Sequence, residues 1–477
     1  MRIPIQRVVQ RMQRLNDNDD SSDQTVPSNP SNPSNPSNQT APSGPLDACR
    51  NDHVDTSPGR GVPGRRSGYL RWLRIGFFAI WGPGLIVMLA DTDVGSTITA
   101  AQSGAEWGYR LLLPQLILIP ILYVVQEMTV RLGIVTQRGH GALIRERFGR
   151  GWAMLSALTL FASSAGALIT EFVGVAGVGE LFGVTPDITV PVAAAFLVGI
   201  AFTGSYRRAE RIGIALGLAE LVFIPAMLLA HPDLHAVAHG LAQFPVRNSS
   251  YMTLLAANVG AVIMPWMIFY QQGAVIDKEL MHHHIRSERR DTAIGAVITQ
   301  GLMVVIIMAF AATESLRHST SPLQTVGQLA SALTPALGAE GSKVILGIAL
   351  IGAALVAALV ASLAAAWGIS EAFGWAHSLN SRPSRKTAKF YVTYALAHIL
   401  GAAIVLLNFN LVSVVIAVEV MNALLLPIVL GFLLALESRA LPAKYRSKGT
   451  YRWFVTVVCL VVIGFGIYMI PVTLGWL

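Results

Sequence analysis

The run VILGIALIGAALVAALVASLAAAW, from Val344 to Trp367, contains no charged residue, and it limits what this chain can fold into more than any other feature. About 20 consecutive apolar residues span the hydrocarbon of a bilayer as a helix. Several more runs of this kind follow one another, so the chain reads as a polytopic, all-α integral membrane protein. Composition agrees. Only 13% of the 477 residues are charged, about half the roughly 25% of a soluble domain. A soluble enzyme, a nucleic-acid-binding domain and a secreted disulfide scaffold are all excluded. The formal net charge of +8 therefore needs a membrane explanation.

Eleven hydrophobic segments are predicted, at about 76–101, 107–134, 152–180, 186–205, 212–231, 252–273, 291–313, 343–370, 389–407, 411–436 and 453–475. Residues 1–70 differ in kind. They are rich in Asn, Ser, Pro, Asp and Gln and include the repeat PSNPSNPSNPSN. Such a segment buries too little apolar surface to offset its ordering entropy, so it is expected to be a disordered cytoplasmic tail. It has no apolar core of a signal peptide. Residues 71–477 form the expected transmembrane domain, opened by a basic stretch that includes Arg71 and Arg74.

Basic residues gather in alternate loops. Arg138, Arg145, Arg147 and Arg150 are followed by Arg207, Arg208 and Arg211, then by Lys278, Arg286, Arg289 and Arg290. The series ends with Arg382, Arg385, Lys386 and Lys389, and with Arg439, Lys444, Arg446, Lys448 and Arg452. The intervening loops carry only Arg110, Arg247, Arg317 and Lys343. By the positive-inside rule the N-terminus is cytoplasmic and the C-terminus outside, as an odd number of spans requires. The expected location is the cell (inner) membrane, with the basic loops facing anionic lipid.

Two spans are interrupted. The first carries Asp91, Asp93, Gly95, Ser96 and Thr97 inside an apolar stretch. The sixth carries Gly260 and the Met264-Pro265 pair. Pro265 donates no N–H, which frees a carbonyl one turn earlier, at about Ala261. Non-helical backbone at membrane depth is tolerated where it lines a cavity or is buried in protein. Breaks in the first and sixth of ten core helices mark an inverted-repeat transporter of five helices plus five, with its site where the breaks meet.

A carboxylate in hydrocarbon is costly and so points to function. The candidates are Asp91, Asp93, Glu127, Glu171, Glu220 and Glu419. Asp93 stands out because it sits at the first break, where Ser96 and freed carbonyls share a cation with it. Asp91 fits capping of the break as well as binding. Met264, a soft thioether, suits Mn²⁺, Fe²⁺ or Co²⁺ better than Mg²⁺ or Ca²⁺. Packing is the competing reading for it.

The segment DVGSTITAAQSGAEWGYRLLL, from Asp93, resembles the first-helix signature of the NRAMP family of divalent metal transporters, which has a D-P-G-N motif followed by QAG..FGY. GAVIMPW is similar to the family's sixth-helix ATIMPH, and TEFVGVAGVGELFGV, from Thr170, to its third-helix AEF.G.A. RLGIVTQRGHGALIRERFG resembles KLGI.TG..LAE.IR, and VEVMNALLLP resembles SQV.L...LP of the tenth helix. The resemblance runs from about Gly76 to the C-terminus. It implies a LeuT-type 5+5 inverted repeat working by alternating access. It also implies a metal site of Asp93, Ser96, Ala261 (through its carbonyl), Met264 and the tenth-helix position Glu419, with Glu171 on a proton path.

The departures from the pattern have consequences. Val94 replaces the motif Pro, and Ser96 its Asn ligand. Trp266 replaces the His after Met-Pro, and Leu168 an acid one turn before Glu171. The last two remove titratable groups, and a Trp does not titrate near neutral pH. Glu419 replaces a Gln and adds a carboxylate. Two acids sharing a site repel unless a divalent cation neutralises them. Family branches without the His handle Mg²⁺ and lack the Met too, so Met264 favours transition metals.

The expected function is import of Mn²⁺ or Fe²⁺ by a secondary transporter, with proton coupling open. The alternatives are a carrier of Mg²⁺ or an organic cation, uncoupled from protons, and a non-transporting metal sensor. The metal ion is substrate, and no cofactor is implied. The absence of a Ser/His/Asp set, a P-loop or an HExxH motif argues against an enzyme. His282, His283 and His284 read as a solvated loop. His231, His235 and His239 share a face only if their loop is helical. Cys49 and Cys459 read as inert.

Overall fold

A backbone crossing hydrocarbon must satisfy its own N–H and C=O groups, and a helix does so within one segment. The computed structural model describes residues 83–202, 206–313, 323–375, 384–407 and 411–476, and among them there is no strand. The chain divides into two units, Met1–Arg65 and Arg66–Leu477. The first, with the expected tail, lies outside the described residues.

In chain order the helices are α1 (Pro83–Asp91), α2 (Val94–Trp107), α3 (Leu112–Thr136), α4 (His140–Phe148), α5 (Arg150–Leu181) and α6 (Pro186–Phe202). Then come α7 (Tyr206–Gly217), α8 (Phe223–Leu229), α9 (Leu234–Gly240), α10 (Ser249–Val262), α11 (Pro265–Asp277) and α12 (Ile285–Ala312). The last are α13 (Val326–Leu337), α14 (Ala339–Phe373), α15 (Ala388–Val405), α16 (Leu411–Ala440) and α17 (Gly449–Thr473). Among the described residues, 9 helical stretches are long and apolar enough to cross a membrane. One of them, Val94–Thr136, has 43 residues, or about 65 Å if straight, roughly twice the hydrocarbon thickness. Gly108, at φ 57°, ends α2 and divides that stretch from α3. With this division, and with the shorter apolar helix Pro186–Phe202, each of the eleven expected segments contains a helix among its described residues.

The packing has an exchange symmetry. The first span (α1 and α2) packs on the seventh (α12), as the sixth (α10 and α11) packs on the second (α3). The third (α5) packs on the tenth (α16), as the eighth (α14) packs on the fifth (α7 and the 3₁₀ turn before α8). The third and eighth pack on each other, as do the fourth (α6) and ninth (α15). Advancing every index by five, and counting round the ten, leaves this pattern unchanged, as two five-helix repeats require. α17 packs on α16, outside the repeat.

Small residues permit the close approaches. A methyl group at Gly260 would meet the Glu419 backbone carbonyl, and one at Gly174 the Val94 side chain. Large apolar side chains such as Leu158, Val192 and Val461 are exposed on the helix surfaces, as a lipid-facing perimeter requires. Glu127, one of the six candidate acids, belongs to an ion network instead of a pathway. Arg131, one turn later on α3, pairs with it at 3.0 Å and reaches Glu437 at 3.0 Å, and Arg289 pairs with it at 2.7 Å. A buried charge set with partners this complete is structural.

Candidate functional site

Each broken span stops for a local reason. After α1 the chain passes through Thr92 and Asp93, which is extended (φ −67°, ψ 179°) and caps α2 by accepting the Ser96 N–H on Oδ1 at 2.6 Å. In the sixth span Ile263 and Met264 leave helical geometry, and Pro265 opens α11, the first-turn position where a missing N–H costs nothing.

The breaks meet. Ser96 Oγ lies 2.6 Å from the Asp91 carbonyl oxygen and 3.1 Å from that of Ala261. Ala261 is the residue whose carbonyl Pro265 leaves without its helical N–H. The hydroxyl thus joins the first span to the sixth at the point where both are unwound.

Glu419, on α16, comes in from the tenth span. A methyl group at Gly95 would run into Glu419 Oε1 and lie 3.2 Å from Asp93 Oδ1. The two carboxylates therefore flank Gly95, and only a residue without a side chain leaves the space between them open. Asn422, one turn beyond Glu419, donates to its Oε2 at 3.1 Å and accepts from Ser163 at 2.8 Å. Among the described residues Asp93 Oδ2 and Glu419 Oε1, both buried, have no hydrogen-bond donor, and the Asp93 carboxyl lies within hydrogen-bonding reach of that of Glu171.

Glu171 also approaches the break. Its Oε2 accepts the Val94 N–H at 3.3 Å, the first amide of α2, where the helix dipole favours negative charge. Glu220 lies in the 3₁₀ turn Leu218–Val222 and accepts from Thr92 at the break. Asp91 accepts from Gln300 at 3.2 Å. Asp93 lies within electrostatic reach of all four of the others, Asp91, Glu171, Glu220 and Glu419. These acids surround the break without converging on one point. Among the described residues no three His, Cys, Asp or Glu side chains could hold a metal ion by themselves. Of the uncharged groups expected at the site, Ser96, Ala261 and Met264 are all buried, and Ser96 Oγ is the one whose contacts join the two breaks.

A cavity of about 530 Å³ lies between α2, α10 and α16, bounded by Gln102, Ser250, Val420 and Met421 among others. Glu106 on its wall accepts from Gln102 and, at 3.2 Å, from Ser250, tying α2 to α10. Gln102 also accepts the Leu323 N–H at 3.1 Å. Asp93 and Glu419 are both 0% exposed, so neither is reached from this cavity without helix movement.

Residues 84–471 match the model of the natural resistance-associated macrophage protein-like family. The chain belongs to that family. A Burkholderia ambifaria protein named divalent metal cation transporter MntH is 24% identical over 421 residues, 86% of this chain and 91% of its own. One of the same name from Pectobacterium carotovorum is 28% identical over 299 residues, 60% of this chain and 70% of its own. Among solved structures, the Eremococcus coleocola manganese transporter superposes with a TM-score of 0.65 at 19% identity, covering 86% of this chain and 88% of that one. A Na⁺-coupled sialic acid symporter superposes with 0.55 at 14% identity, covering 82% and 89%. Such likenesses establish the fold, a LeuT-type arrangement, as the family motifs imply.

The two histidine groups remain apart from this site. His282, His283 and His284 form a 3₁₀ turn with no side chain buried. His235 and His239 lie on α9, but His231 precedes that helix, so the three do not share one face. Motif reading missed His140, which is buried at the start of α4 against Phe269 and 3.1 Å from Gln272 Oε1. Burial pushes its pKa down to about 4, so the ring is neutral at neutral pH. It also missed Gln300 and Asn422, which orient Asp91 and Glu419. Only Asn422, three residues from Glu419 on the same helix face, left a signal in the sequence.

Proposed function

We propose that this chain is a secondary transporter that imports divalent metal cations of the Mn²⁺/Fe²⁺ class by alternating access. The observation that carries the reading is the meeting of two buried carboxylates, Asp93 and Glu419, at the space that a Gly95 side chain would fill, each with one oxygen, Asp93 Oδ2 and Glu419 Oε1, that has no hydrogen-bond donor among the described residues. Carboxylates buried this close repel each other, and a divalent cation between them removes the repulsion and the cost of burial together. The relatives named as divalent metal cation transporters support the same substrate class.

In this reading Asp93 and Glu419 supply charge, Ser96 and the Ala261 carbonyl supply neutral oxygen, and Met264 supplies sulfur. Full burial of both acids makes the present state occluded. Release to either side requires the half-helices α1 and α2, or α10 and α11, to move. The contacts of Glu106 and Gln102 are the ones that part for opening toward the cavity they line. The alternation of basic loops supports a cytoplasmic N-terminus and an outside C-terminus in the cell membrane.

Glu419 favours a second reading. A second carboxylate where the family pattern has a neutral amide hardens the site toward Mg²⁺. Reconstituted vesicles with a pH dye inside separate the two. Mn²⁺ uptake is expected, with little competition from excess Mg²⁺. Met264→Ala is expected to weaken Mn²⁺ uptake about tenfold, the loss of one soft ligand, while leaving any Mg²⁺ uptake unchanged. Mg²⁺ uptake that Mn²⁺ does not inhibit would overturn the soft-ligand assignment, and equal loss for both ions would reduce Met264 to packing. Internal acidification that tracks metal uptake would make protons a second substrate, with Glu171 as carrier. Its absence would match the loss of titratable groups at Trp266 and Leu168.

A further inference from the structure

The end of α3, the 3₁₀ turn His282–His284 with the start of α12, and the chain following α16 border a second cavity of about 520 Å³, remote in chemistry from the acidic site. Its wall carries Arg131, Arg286, Arg289, Lys444 and Arg446, together with His282 and His283, and no carboxylate. Two acids beside it are already committed. Glu127 takes Arg131 and Arg289, and Glu437 takes Arg131 and the Ser447 N–H. Of these five guanidinium or ammonium groups, Arg131 and Arg289 are ion-paired, and among the described residues Arg286, Lys444 and Arg446 are not.

Two of those three, Arg446 and Lys444, have contacts within the loop that carries them. Arg446 Nε is fixed by the Leu441 carbonyl at 2.7 Å, which leaves the rest of its guanidinium fork free to turn inward. The Lys444 ammonium lies 5.4 Å above the Tyr445 ring, which in turn faces His282 at 5.2 Å. Arg131 donates to the Tyr445 carbonyl at 2.6 Å and to Ser447 at 3.0 Å, anchoring the 441–448 loop to α3. A basic cleft at the end of membrane helices has the chemistry of a phosphate receptor, because guanidinium forks match phosphoryl oxygens in pairs.

We infer that this cleft binds a phosphorylated anion, either an anionic phospholipid headgroup or a soluble phosphate, separately from the transported metal. Basic pockets between transmembrane helices on the cytoplasmic side take lipid headgroups in this way. Binding there holds the 441–448 loop to the start of α12, and α12 packs against both halves of the broken first span. Occupancy therefore acts on the element that must move during transport.

The test uses the full chain. One arm measures which lipids it retains from nanodiscs of phosphatidylcholine alone or with phosphatidylglycerol added. The other measures thermal melting in neutral detergent with inorganic phosphate or pyrophosphate, against chloride at equal ionic strength. Preferential retention of phosphatidylglycerol, or saturable stabilisation by phosphate beyond that of chloride, is expected. The first alone identifies a lipid headgroup, and the second a soluble anion. Arg286→Ala with Lys444→Ala should weaken the effect about thirtyfold, from about 1 kcal/mol per basic residue near the surface. Both side chains are exposed, and Arg286→Lys with Lys444→Arg should keep the binding. Phosphatidylglycerol retained no better than phosphatidylcholine, together with a phosphate response equal to that of chloride, overturns the inference. So does an effect of the same size in the double alanine variant.

Discussion

Replacing Asp93 with alanine is expected to abolish metal uptake, with apparent affinity falling by about a hundredfold or more, while the protein still reaches the membrane. The magnitude follows from leaving a buried charge without its partner, which costs about 3–5 kcal/mol. Here the stranded charge is the cation itself, held by Glu419 alone among neutral donors. The fold should survive. Asp93 caps α2 through the Ser96 N–H, and loss of a cap costs about 1 kcal/mol. Removing one member of a crowded acidic group also relieves repulsion in the metal-free protein. Asp93→Asn separates the two roles, because asparagine caps a helix as well as aspartate does but brings no charge. Loss of uptake in both variants, measured as Mn²⁺ influx into vesicles carrying equal amounts of protein, assigns Asp93 to the ion. Wild-type influx with asparagine would leave it a helix cap. A wild-type protein that binds Mn²⁺ but never moves it would instead support the sensor reading.

How far the site could be read from sequence depended on what hydrocarbon makes conspicuous. In a soluble protein Asp93 or Glu419 would be one acid among dozens. In an apolar span it is a costly exception, and both carboxylates lie beside Gly95 at the start of α2. Met264-Pro265 was equally visible, since Pro265 fixes both where α11 begins and which carbonyl, Ala261, is left free. Neutral polar residues carry no such mark. Gln300 and Asn422 look unremarkable in sequence, although they orient Asp91 and Glu419. Gln300 does so across 209 positions of chain, a distance at which no local pattern applies. Glu127 shows the opposite limit. By composition alone it was as costly as Asp93, yet its answer lay four residues away at Arg131, at the i,i+4 spacing of helix-face neighbours. His140 stayed hidden because it sits in a short polar helix, and its partners Phe269 and Gln272 lie far along the chain on α11.

Gly95→Ala should also stop transport, for a reason that runs against helix propensity. Gly95 is the second residue of α2 and does not have a positive φ, so alanine would suit the helix better by up to about 1 kcal/mol. A methyl group there, however, enters the space that separates Glu419 Oε1 from Asp93 Oδ1. Overpacking of this kind costs about 1–3 kcal/mol, so the two effects partly offset and the variant should fold. The damage falls on the cavity. Glu419 must turn away, the two carboxylates no longer face one ion, and Mn²⁺ uptake is expected to drop about a hundredfold, as when one carboxylate is lost. Shortening the acid returns part of the space, so Gly95→Ala with Glu419→Asp should recover some uptake, whereas Glu419→Asp alone should not exceed wild type. Influx normalised to protein in the membrane distinguishes the outcomes. Normal uptake in Gly95→Ala would place the ion elsewhere than between Asp93 and Glu419. A loss that merely follows the amount of folded protein would make Gly95 a packing residue.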